Sequence, residues 1–476
     1  MFSTGKLRQV INNKLIQHQS TKEYFLFVIH NVILPTIIST TYAMSQIESI
    51  YQHYLSNPVA CTDTRSISAG CLFFALKGEH FDANTFVAEA LKQGAAFAII
   101  DNADYKLNDQ CILVPDVLTA LQDLARHHRL QLHIPIIGLT GSNGKTTTKE
   151  LINAVLAEKY KTFATKGNLN NHIGVPLSIL SISVDTEIAV IEMGANHQKE
   201  IEFLCTIAQP THGMITNIGM AHLDGFGGFE GVKKGKAELF TYLKNTGGIA
   251  FINRDNSYII EMSMVAGLTH LVYYGTEGEN SVTGQLLKSD PLIELGWKKQ
   301  EESFKVKANL TGAYNFENIL AAICIASFFE LSPDQINKGL AGYFPNNNRS
   351  QLTKTATNTI ICDFYNANPS SMAAALGNIS ILEAKNKVAI IGDMFELGPE
   401  TEKQHQEIAV LAEKSGLDTV IFIGKHFYAL KGQFKGLFFN TPQDTEAWLK
   451  DNPIAESLVL LKGSRGMALE QLLPIL

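Results

Sequence analysis

The stretch Gly138-Leu-Thr-Gly-Ser-Asn-Gly-Lys-Thr-Thr-Thr148 is a glycine-rich turn that follows the apolar run Ile134-Pro-Ile-Ile-Gly138 and leads into a helical pattern. Backbone N–H groups at such a strand-to-helix turn form a nest for an anion. Lys145 can supply a positive charge to the β- and γ-phosphates of a nucleotide, and the Thr146 hydroxyl can ligate Mg²⁺. We call residues 141–147 the phosphate loop, and it predicts a nucleoside triphosphate site on a parallel α/β sheet.

The glycine spacing of this loop departs from the usual P-loop pattern, which has a glycine where this chain has Leu139. A dinucleotide-binding turn requires Gly-x-Gly-x-x-Gly and gives Lys145 nothing to do. A glycine-rich turn without a ligand is the remaining alternative. Gly-Lys-Thr directly after an apolar strand favours phosphate binding over both.

The composition indicates a globular protein of several domains. Of the 476 residues, 45% are hydrophobic and 18% are charged, and the chain is too long for one ordinary core. The formal charge of -7 at pH 7 provides no basic stripe, so we expect no nucleic-acid partner. The cysteines have neither metal-binding nor disulfide spacing, which predicts reduced thiols in a cytoplasmic protein. They are Cys61, Cys71, Cys111, Cys205, Cys324 and Cys362.

Residues 1–43 resemble a signal or anchor segment because basic residues precede the apolar run 24–38. Polar residues and Pro35 interrupt this run, and it is shorter than the roughly 20 apolar residues of a membrane-spanning helix. We therefore expect no stable membrane insertion, with a membrane tether as the alternative. A globular pattern begins at Met44, so residues 1–43 are predicted to be a non-native or disordered extension.

Three domains are predicted in the rest of the chain. Residues 44–133 mix short strands and helices in a small α/β domain. Residues 134–345 alternate apolar strands with amphipathic helices, as in a parallel sheet, and carry a polar side hairpin near 281–310. After a turn-rich linker, residues 346–476 alternate strands and helices in a Rossmann-type pattern that ends in a helix near 466–473.

Polar residues follow the apolar strands of the central segment. Glu192 ends the strand pattern Ile188-Ala-Val-Ile-Glu192 and is predicted to be a Mg²⁺ ligand opposite Thr146, the alternative being a carboxylate that faces water. His222 follows another strand pattern, and Lys236 lies in a helical one. A lone histidine or lysine is most often structural or solvated, so these two gain a functional meaning only from a family resemblance.

Together these motifs resemble the Mur ligases, the ATP-dependent amide-bond enzymes of peptidoglycan precursor synthesis, over residues 58–476. The resemblance implies a three-domain Mur ligase architecture with a small N-terminal α/β domain, a central P-loop ATPase-type parallel sheet and a C-terminal Rossmann-like domain. The motifs that carry it, after the phosphate loop, are Glu192-Met-Gly-Ala-Asn-His197, Asn217-Ile-Gly-Met-Ala-His222, Lys236-Ala-Glu-Leu-Phe240 and Leu310-Thr-Gly-Ala-Tyr-Asn-Phe-Glu-Asn318.

The resemblance also implies which residues bind ATP and Mg²⁺. The implied ATP-binding residues are Gly141, Ser142, Asn143, Gly144, Lys145, Thr146, Thr147, Asn315, Asn318, Arg349 and Asp363. The implied metal ligands are Thr146, Glu192, His222 and, if it is carbamylated, Lys236. The implied catalytic residues are Lys145, His222 and Lys236.

Motifs near the two ends of the chain narrow the implied substrates. Thr62-Asp-Thr-Arg65 is similar to the UDP-sugar-binding domain of the third and fourth ligases of the pathway, and three C-terminal motifs are similar to the ligase that adds D-alanyl-D-alanine. Those three are Asp363-Phe-Tyr-Asn-Ala-Asn368, Gly392-Asp-Met-Phe-Glu-Leu-Gly398 and Lys462-Gly-Ser-Arg465. The implied UDP-substrate residues are Thr62, Asp63, Thr64, Arg65, Asn170 and Asn171. The implied dipeptide residues are Tyr365, Asn366 and Asn368, whose alternative role is a capped turn before a helix.

The implied reaction joins D-alanyl-D-alanine to UDP-N-acetylmuramoyl-tripeptide through an acyl phosphate, with ATP and Mg²⁺, in a monomeric cytoplasmic enzyme. Whether the third residue of the tripeptide is lysine or diaminopimelate stays open. The alternatives are a sister ligase of the same fold and a non-catalytic nucleotide-binding protein. The last of these predicts damage among Lys145, Glu192, His222 and Lys236, all of which are intact.

Overall fold

Three principal β-sheets organise the chain, one in each of the segments that the sequence pattern separates. The structure, a computed structural model, describes residues 46–476. The predicted extension over residues 1–43 and the predicted start at Met44 lie outside these residues. The described chain divides into two units, of which the first ends at His128 and the second runs from Arg129 to Leu476.

The first unit begins with a helix over residues 46–56, and a parallel four-stranded sheet follows it in the chain. In sheet order its strands are Ala60–Cys61, Leu72–Phe74, Phe97–Ile100 and Cys111–Leu113, and a small antiparallel pair is formed by Lys77–Gly78 and Phe81–Asp82. The other helices of this unit are Val87–Lys92 and Val117–Gln131, the second of which continues past the limit at His128, and 3₁₀ turns lie at Thr64–Ser66, Ala83–Phe86 and Ala103–Tyr105. All six cysteines of the chain are buried free thiols, as predicted.

The central sheet has nine strands and is parallel except at one edge. In sheet order the strands are Glu302–Lys307, Glu294–Lys299, Val282–Lys288, Leu271–Gly275, Ile249–Asn253, His212–Ile215, Ile136–Thr140, Ile188–Glu192 and Thr162–Ala164. The helices of this segment are Lys145–Leu156, Gly174–Leu180, Glu200–Ala208, Leu223–Phe226, Phe229–Thr246, Ser257–Ala266, Asn315–Phe328 and Pro333–Gly342.

The polar segment near 281–310 is not the side hairpin that the sequence predicted. Its three strands extend the central sheet, because Val282–Lys288 pairs in parallel with Leu271–Gly275 and the next two strands add antiparallel to it. Alternate residues such as Leu295 and Trp297 are buried in the main core. Only one face of each strand is apolar, a pattern that also occurs in a hairpin at the surface. The sequence of the strands alone therefore does not show that helices of the central segment cover this face.

The C-terminal sheet has six strands, parallel except for the first. In sheet order they are Gln351–Lys354, Thr359–Cys362, Ser457–Lys462, Asn386–Gly392, Thr419–Ile423 and Leu437–Phe439, and the helices are Pro369–Ile381, Thr401–Lys414, Lys425–Tyr428 and Pro442–Asp451. The predicted helical segment near 466–473 is present, but it is 3₁₀ rather than α-helical. Two 3₁₀ segments, Arg465–Met467 and Leu469–Ile475, occupy this region, because Ala468 takes a left-handed φ of 49° between them and Pro474 lies inside the second.

Sheet topology determines where a ligand can bind. The strand Ile136–Thr140 lies between Ile188–Glu192 and His212–Ile215, so the chain changes direction across the sheet at this strand. Ligands of open parallel sheets bind at the carboxyl ends of strands beside such a switch point. The phosphate loop follows the first of these strands, and Glu192 ends the second. The predicted domain limits at 133/134 and 345/346 fall between sheets and stay predictions. No helix within residues 46–476 is long and apolar enough to cross a membrane.

Replacement of Leu320 by alanine tests the packing of Asn315–Phe328 on the central sheet. Leu320 is buried in the main core, so Leu320→Ala is expected to lower the free energy of unfolding by about 2–5 kcal/mol through the cavity it leaves. Val184 is 90% exposed, and the control Val184→Ala is expected to change that energy by less than about 0.5 kcal/mol. Urea denaturation followed by circular dichroism measures both, and equal effects would contradict the packing.

Candidate functional site

A cleft of about 610 Å³ in the second unit collects residues from the central and C-terminal sheets. Its volume lies in the range of small-molecule and cofactor sites, roughly 300–1,000 Å³. Every predicted ATP-binding residue except Gly141 lines it, as do Glu192, His222 and the three predicted dipeptide residues. Lys236 is not among its lining residues. The cleft also includes Asn170 and Asn171, which were predicted to contact the UDP substrate.

The phosphate loop ends where the helix Lys145–Leu156 begins. Gly144 has a left-handed φ of 77°, and a Cβ added to it would lie 2.6 Å from the side-chain oxygen of Asn318, so no other residue fits without displacing that side chain. The first N–H groups of an α-helix have no intrahelical acceptor. Those at the start of this helix are therefore available to an anion.

Asn217 holds the phosphate loop in shape, a role that the sequence did not predict. Its Oδ1 accepts from the Asn143 N–H at 2.9 Å, and its Nδ2 donates to the Asn143 carbonyl oxygen at 3.1 Å. The Thr216 hydroxyl donates to the same carbonyl at 2.6 Å, and the Ser142 N–H donates to the Asn217 carbonyl at 3.0 Å. Two N–H groups of the predicted anion nest are thus already bonded within the protein. The signal was a polar Thr-Asn pair directly after the strand next to the phosphate loop.

The Lys145 ammonium group lies within the loop. Its Nζ donates to the carbonyl oxygens of Gly141 and Ser142 at 2.6 and 3.0 Å. The pKa of Lys145 is lowered to about 8, mainly by burial and also by the charge of Arg349, while the Glu192 carboxylate acts in the opposite direction. The two carbonyl dipoles neutralise the Lys145 ammonium charge only in part, and a nucleotide phosphate would supply the full negative charge.

Glu192 has the environment of a metal-ligating carboxylate. It is buried, and its Oε1 accepts from Asn170 Nδ2 at 2.8 Å and from the Thr146 hydroxyl at 3.3 Å. Its Oε2 is buried with no hydrogen-bond partner among the described residues. A carboxylate oxygen that accepts no hydrogen bond, beside a threonine hydroxyl, fits Mg²⁺, which prefers oxygen ligands. The predicted pairing of Thr146 with Glu192 is therefore present in the structure.

Lys149 is a second charged residue that the sequence did not single out. It is fully buried, and its Nζ lies 3.7 Å from Glu192 Oε2 and 3.0 Å from Glu150 Oε1, while it donates to the Thr165 carbonyl oxygen at 2.5 Å. Its position four residues after Lys145 places both lysines on one face of the helix. Lys149 therefore balances part of the buried charge of Glu192.

The structure treats His222 and Lys236 differently. His222 lines the cleft in a left-handed conformation with a φ of 52°, and its Nδ1 contacts the carboxylate of Glu396. Lys236 is buried behind the cleft wall, with its Nζ donating to the Ala195 carbonyl oxygen at 3.2 Å and lying 5.0 Å from the centre of the Phe226 ring. Burial lowers the pKa of Lys236 well below its usual value, and the charge of Lys145 acts in the same direction.

The predicted metal ligands contain few acidic or imidazole groups. Within residues 46–476 no group of three or more histidine, cysteine, aspartate or glutamate side chains could hold a metal ion. Thr146 and Glu192 form one pair, and His222 contributes an imidazole from the other side of the switch-point strand. A larger ligand set depends on conversion of Lys236 to a carbamate, which stays a prediction.

Asn315 and Asn318, the predicted adenine-side residues, are joined behind the phosphate loop. Asn318 Nδ2 donates to Asn315 Oδ1 at 2.9 Å, and Asn318 Oδ1 accepts from the Thr148 hydroxyl at 3.0 Å. Asn315 Nδ2 donates to the Thr311 carbonyl oxygen at 2.8 Å. The two amides thus fix the helix Asn315–Phe328 against the phosphate-loop helix and line the cleft together.

Arg349 and Asp363 reach the cleft from the C-terminal segment. The Arg349 guanidinium carbon lies 3.9 Å from the centre of the Tyr365 ring, a cation–π contact that holds the cation over the cleft. Asp363 Oδ1 accepts from the Ser350 N–H at 3.1 Å, and its Oδ2 pairs with Lys462 Nζ at 2.7 Å. Lys462, the first residue of the motif Lys462-Gly-Ser-Arg465, is thus the buried partner of Asp363.

The predicted dipeptide residues make different contacts. Tyr365 packs on Arg349, and Asn366 Oδ1 accepts from the Ala367 N–H at 2.9 Å. Asn368 caps the helix Pro369–Ile381 in a capping box with Ser371, which is the alternative role considered for it. Its Nδ2 also donates to Asn143 Oδ1 at 2.7 Å, so it links the C-terminal segment to the phosphate loop.

The predicted UDP-substrate residues belong to both units. In the first unit Asp63 caps the turn Thr64–Ser66 and pairs with Arg65 at 2.6 Å, and the hydrogen bond from Arg65 lowers the pKa of Asp63 to about 2. In the second unit Asn170 bonds Glu192, and Asn171 Oδ1 accepts from the Gly174 N–H at 2.8 Å. Their joint role in binding one substrate stays a prediction.

Known proteins match this chain along most of its length. Three family models match in succession: "Mur ligase family, catalytic domain" over residues 60–129, "Mur ligase middle domain" over 139–326 and "Mur ligase, glutamate ligase domain" over 348–465. The UDP-N-acetylmuramoyl-tripeptide–D-alanyl-D-alanine ligase of Bacillus subtilis is 36% identical over 437 residues, which are 89% of this chain and 93% of that protein.

Solved structures match in the same way. The crystal structure of MurF from Acinetobacter baumannii has a TM-score of 0.79 and 31% identity, and the match covers 87% of this chain and 92% of that chain. The crystal structure of MurF ligase from Thermotoga maritima in complex with ADP has a TM-score of 0.77 and 27% identity, and covers 88% of this chain and 96% of that chain. The predicted α/β architecture is confirmed.

Asn217→Ala tests the support of the phosphate loop. It removes both side-chain bonds to Asn143 and leaves partly buried backbone groups of the loop less satisfied, so we expect ADP to bind about tenfold more weakly. The control is Asn256→Ala, which removes the cap of the helix Ser257–Ala266 and should leave ADP affinity unchanged. Isothermal titration calorimetry measures both, and unaltered affinity in Asn217→Ala would contradict the role.

Proposed function

The chain belongs to the Mur ligase family, and on that premise we propose that it joins D-alanyl-D-alanine to UDP-N-acetylmuramoyl-tripeptide with the hydrolysis of ATP. It is an ATP-dependent acid–amino-acid ligase of peptidoglycan precursor synthesis, and its cofactors are ATP and Mg²⁺. The observation that carries the proposal is the cleft, where the phosphate loop and Glu192 face residues of the C-terminal signature Asp363–Asn368.

Each segment has a proposed substrate. Residues 44–133 bind the UDP-sugar through Thr62–Arg65, residues 134–345 bind ATP, and residues 346–476 bind the dipeptide. Support for the last assignment comes from Tyr365, which lines the cleft beside Arg349. The enzyme works as a monomer in the cytoplasm.

The chemistry requires activation of a carboxylate, which is a poor electrophile. The terminal carboxylate of the tripeptide attacks the γ-phosphorus of ATP in line, so that ADP leaves and an acyl phosphate forms. The amine of D-alanyl-D-alanine then attacks the acyl carbon, and the tetrahedral intermediate expels inorganic phosphate and loses a proton. Both steps gather negative charge, so the protein's main contribution is to position and neutralise it.

The cations of the cleft are placed for that task. Lys145 exchanges its two loop carbonyl acceptors for phosphate oxygens, and the N–H groups at the start of its helix bind the same group. Arg349 approaches from the opposite side, held by the face of Tyr365. Closure of the C-terminal segment over the phosphate loop keeps water from the acyl phosphate.

Thr146 and Glu192 would hold Mg²⁺ on the phosphate side of the cleft, and His222 with a carbamylated Lys236 would extend the ligand set. Bound Mg²⁺ neutralises phosphate charge and polarises the group that is transferred. Lys236 suits carbamylation because burial favours its uncharged amine, which is the form that reacts with carbon dioxide. A carbamate would also convert this buried amine, which donates to the Ala195 carbonyl oxygen, into an anionic oxygen ligand.

The proposal is tested by phosphate release from the full chain with ATP, Mg²⁺, UDP-N-acetylmuramoyl-tripeptide and an acceptor. We expect release that requires D-alanyl-D-alanine, with a matching mass gain on the nucleotide sugar. Lys145→Ala should reduce turnover at least about 100-fold without unfolding the protein, because it removes a charge that faces the transition state. Release with a single amino acid would identify a sister ligase, and no release with any acceptor would favour a non-catalytic protein.

Carbamylation of Lys236 has a test that does not require turnover. After equilibration with ¹³C-bicarbonate, the protein is expected to show one slowly exchanging ¹³C carbamate resonance. Lys236→Ala should abolish this resonance, whereas the matched control Lys234→Ala, which removes an exposed lysine of the same helix, should retain it. A spectrum that is identical in all three proteins would contradict the modification.

A further inference from the structure

The motif Gly392-Asp-Met-Phe-Glu-Leu-Gly398 has no part in the reaction described so far. We call it the signature loop. It follows the strand Asn386–Gly392, and Asp393, Met394 and Leu397 are buried. These three positions anchor the loop in the C-terminal segment and account for part of the motif. They do not account for its glutamate.

The anchoring contacts of the signature loop are specific. The Asp393 carboxylate accepts from the N–H groups of His426 and Phe427 at 2.9 and 3.0 Å. The Met394 N–H donates to His405 Nε2 at 3.0 Å, and the Phe395 N–H donates to the Ser464 hydroxyl at 3.0 Å. The backbone that leads to Glu396 is therefore held by contacts within the C-terminal segment.

The Glu396 side chain extends from the C-terminal segment and contacts His222, the histidine predicted to ligate the metal. Its carboxylate lies against Nδ1 of His222. Both residues have left-handed backbones, with φ of 62° for Glu396 and 52° for His222. Such conformations are uncommon and strained for residues other than glycine, and they cluster at functional sites. Because two such conformations meet at a single contact, we read the contact as a specific arrangement.

A second contact joins the same two loops. Gly398 has a left-handed φ of 54°, and a Cβ added to it would lie 2.7 Å from Asp224 Oδ1. Only glycine allows this close approach beside the helix Leu223–Phe226. Nearby, the Ser370 hydroxyl accepts from the Met220 N–H at 3.1 Å. The signature loop thus rests on the segment that carries His222.

We propose that Glu396 is a positioning residue that holds His222 for metal binding, and that it does so only when the C-terminal segment is docked on the central one. A carboxylate in contact with Nδ1 favours the tautomer that carries its proton on that nitrogen, which leaves Nε2 unprotonated and able to bind a metal. This inference rests on the proposed function, because it assigns a ligand role to His222. It also explains why the signature loop of the C-terminal sheet contacts the predicted metal site of the central sheet.

A simpler account is that the contact is an exposed ion pair, since the Glu396 side chain is 55% exposed. Exposed pairs contribute little to stability or function. The two accounts differ in one respect: a positioning residue acts through His222, so its removal has no further effect once His222 is absent. A double-mutant cycle measures this difference.

The experiment measures Mn²⁺ binding to the full chain saturated with ADP, by electron paramagnetic resonance. Mn²⁺ serves as the probe for the Mg²⁺ site. We expect Glu396→Ala to weaken Mn²⁺ binding about tenfold, as loss of a carboxylate behind a ligating histidine does elsewhere. Glu396→Gln, which keeps an oxygen acceptor, should recover part of the loss. The matched control Glu402→Ala removes an exposed carboxylate from the next helix and should bind Mn²⁺ as the unaltered chain does.

His222→Ala sets the scale of the effect. In that background, Glu396→Ala should cause no further loss of Mn²⁺ affinity. Equal losses with and without His222, or Mn²⁺ affinity within twofold of the unaltered chain in Glu396→Ala, would overturn the inference. An unaltered affinity in His222→Ala would overturn it as well. Thermal melting checks that each variant is folded, and Glu396→Gln keeps the test decisive if the alanine variant is not.

These outcomes separate this inference from the proposed function. If the unaltered chain ligates D-alanyl-D-alanine but Glu396→Ala binds Mn²⁺ normally, only the inference fails. If the chain ligates no acceptor, the proposed function fails, while the Mn²⁺–ADP measurement still reports on Glu396 and His222. In the active enzyme, Glu396→Ala is expected to raise the Mg²⁺ concentration for half-maximal rate about tenfold, with a smaller change in kcat at saturating Mg²⁺.

Discussion

The carboxylate of Glu192 and the start of the phosphate-loop helix depend on each other, and the other contacts of the cleft are arranged around them. The helix presents unpaired N–H groups and two lysines at this end, all of which carry positive charge. Glu192 is the buried carboxylate that balances it, through Thr146 and the nearby Lys149. A buried carboxylate is stable only among such partners, and parallel pairing of adjacent strands brings them together.

This balance is incomplete in the protein alone. Glu192 Oε2 has no hydrogen-bond partner among the described residues, and Lys145 is bonded only to carbonyl oxygens of its own loop. Burial of the Glu192 oxygen and of the Lys145 ammonium group is costly, because a polar group without a matching partner loses its hydration and gains nothing equivalent. A magnesium nucleotide supplies the missing cation and anion at once. The site is therefore stabilised by the ligand that it uses, as a pre-organised site should be.

The C-terminal segment completes the site through contacts made by loops rather than by a packed core. Asn368 reaches Asn143 of the phosphate loop, and Glu396 reaches His222. Asp363, the signature loop and Lys462 come from distant parts of the chain, but they follow three neighbouring strands of one sheet. The loops at their common edge reach the phosphate loop, so all of these residues come to the site from one segment. Such an arrangement suits a reaction that must be closed to water.

Much of the fold and part of the site could be predicted from local pattern. The apolar strands, their alternation with helices and the glycine-rich turn are encoded in short stretches, because hydrophobic periodicity and turn chemistry act over a few residues. For the same reason the phosphate-binding role of Lys145 and the metal role of Glu192 could be proposed from their places at strand ends. The polar strands near 281–310 were misplaced, since their burial depends on helices that follow later in the sequence.

The sequence by itself determined the class of sheet, the phosphate loop and the family to which the motifs are similar. Only the tertiary structure decided that Asn217 hydrogen-bonds the phosphate loop, that Lys149 is a buried partner of Glu192 and that Glu396 contacts His222. Each of these pairs joins residues tens to hundreds of positions apart. A side chain's partner depends on strand order and on domain docking, and neither leaves a mark in the spacing of nearby residues.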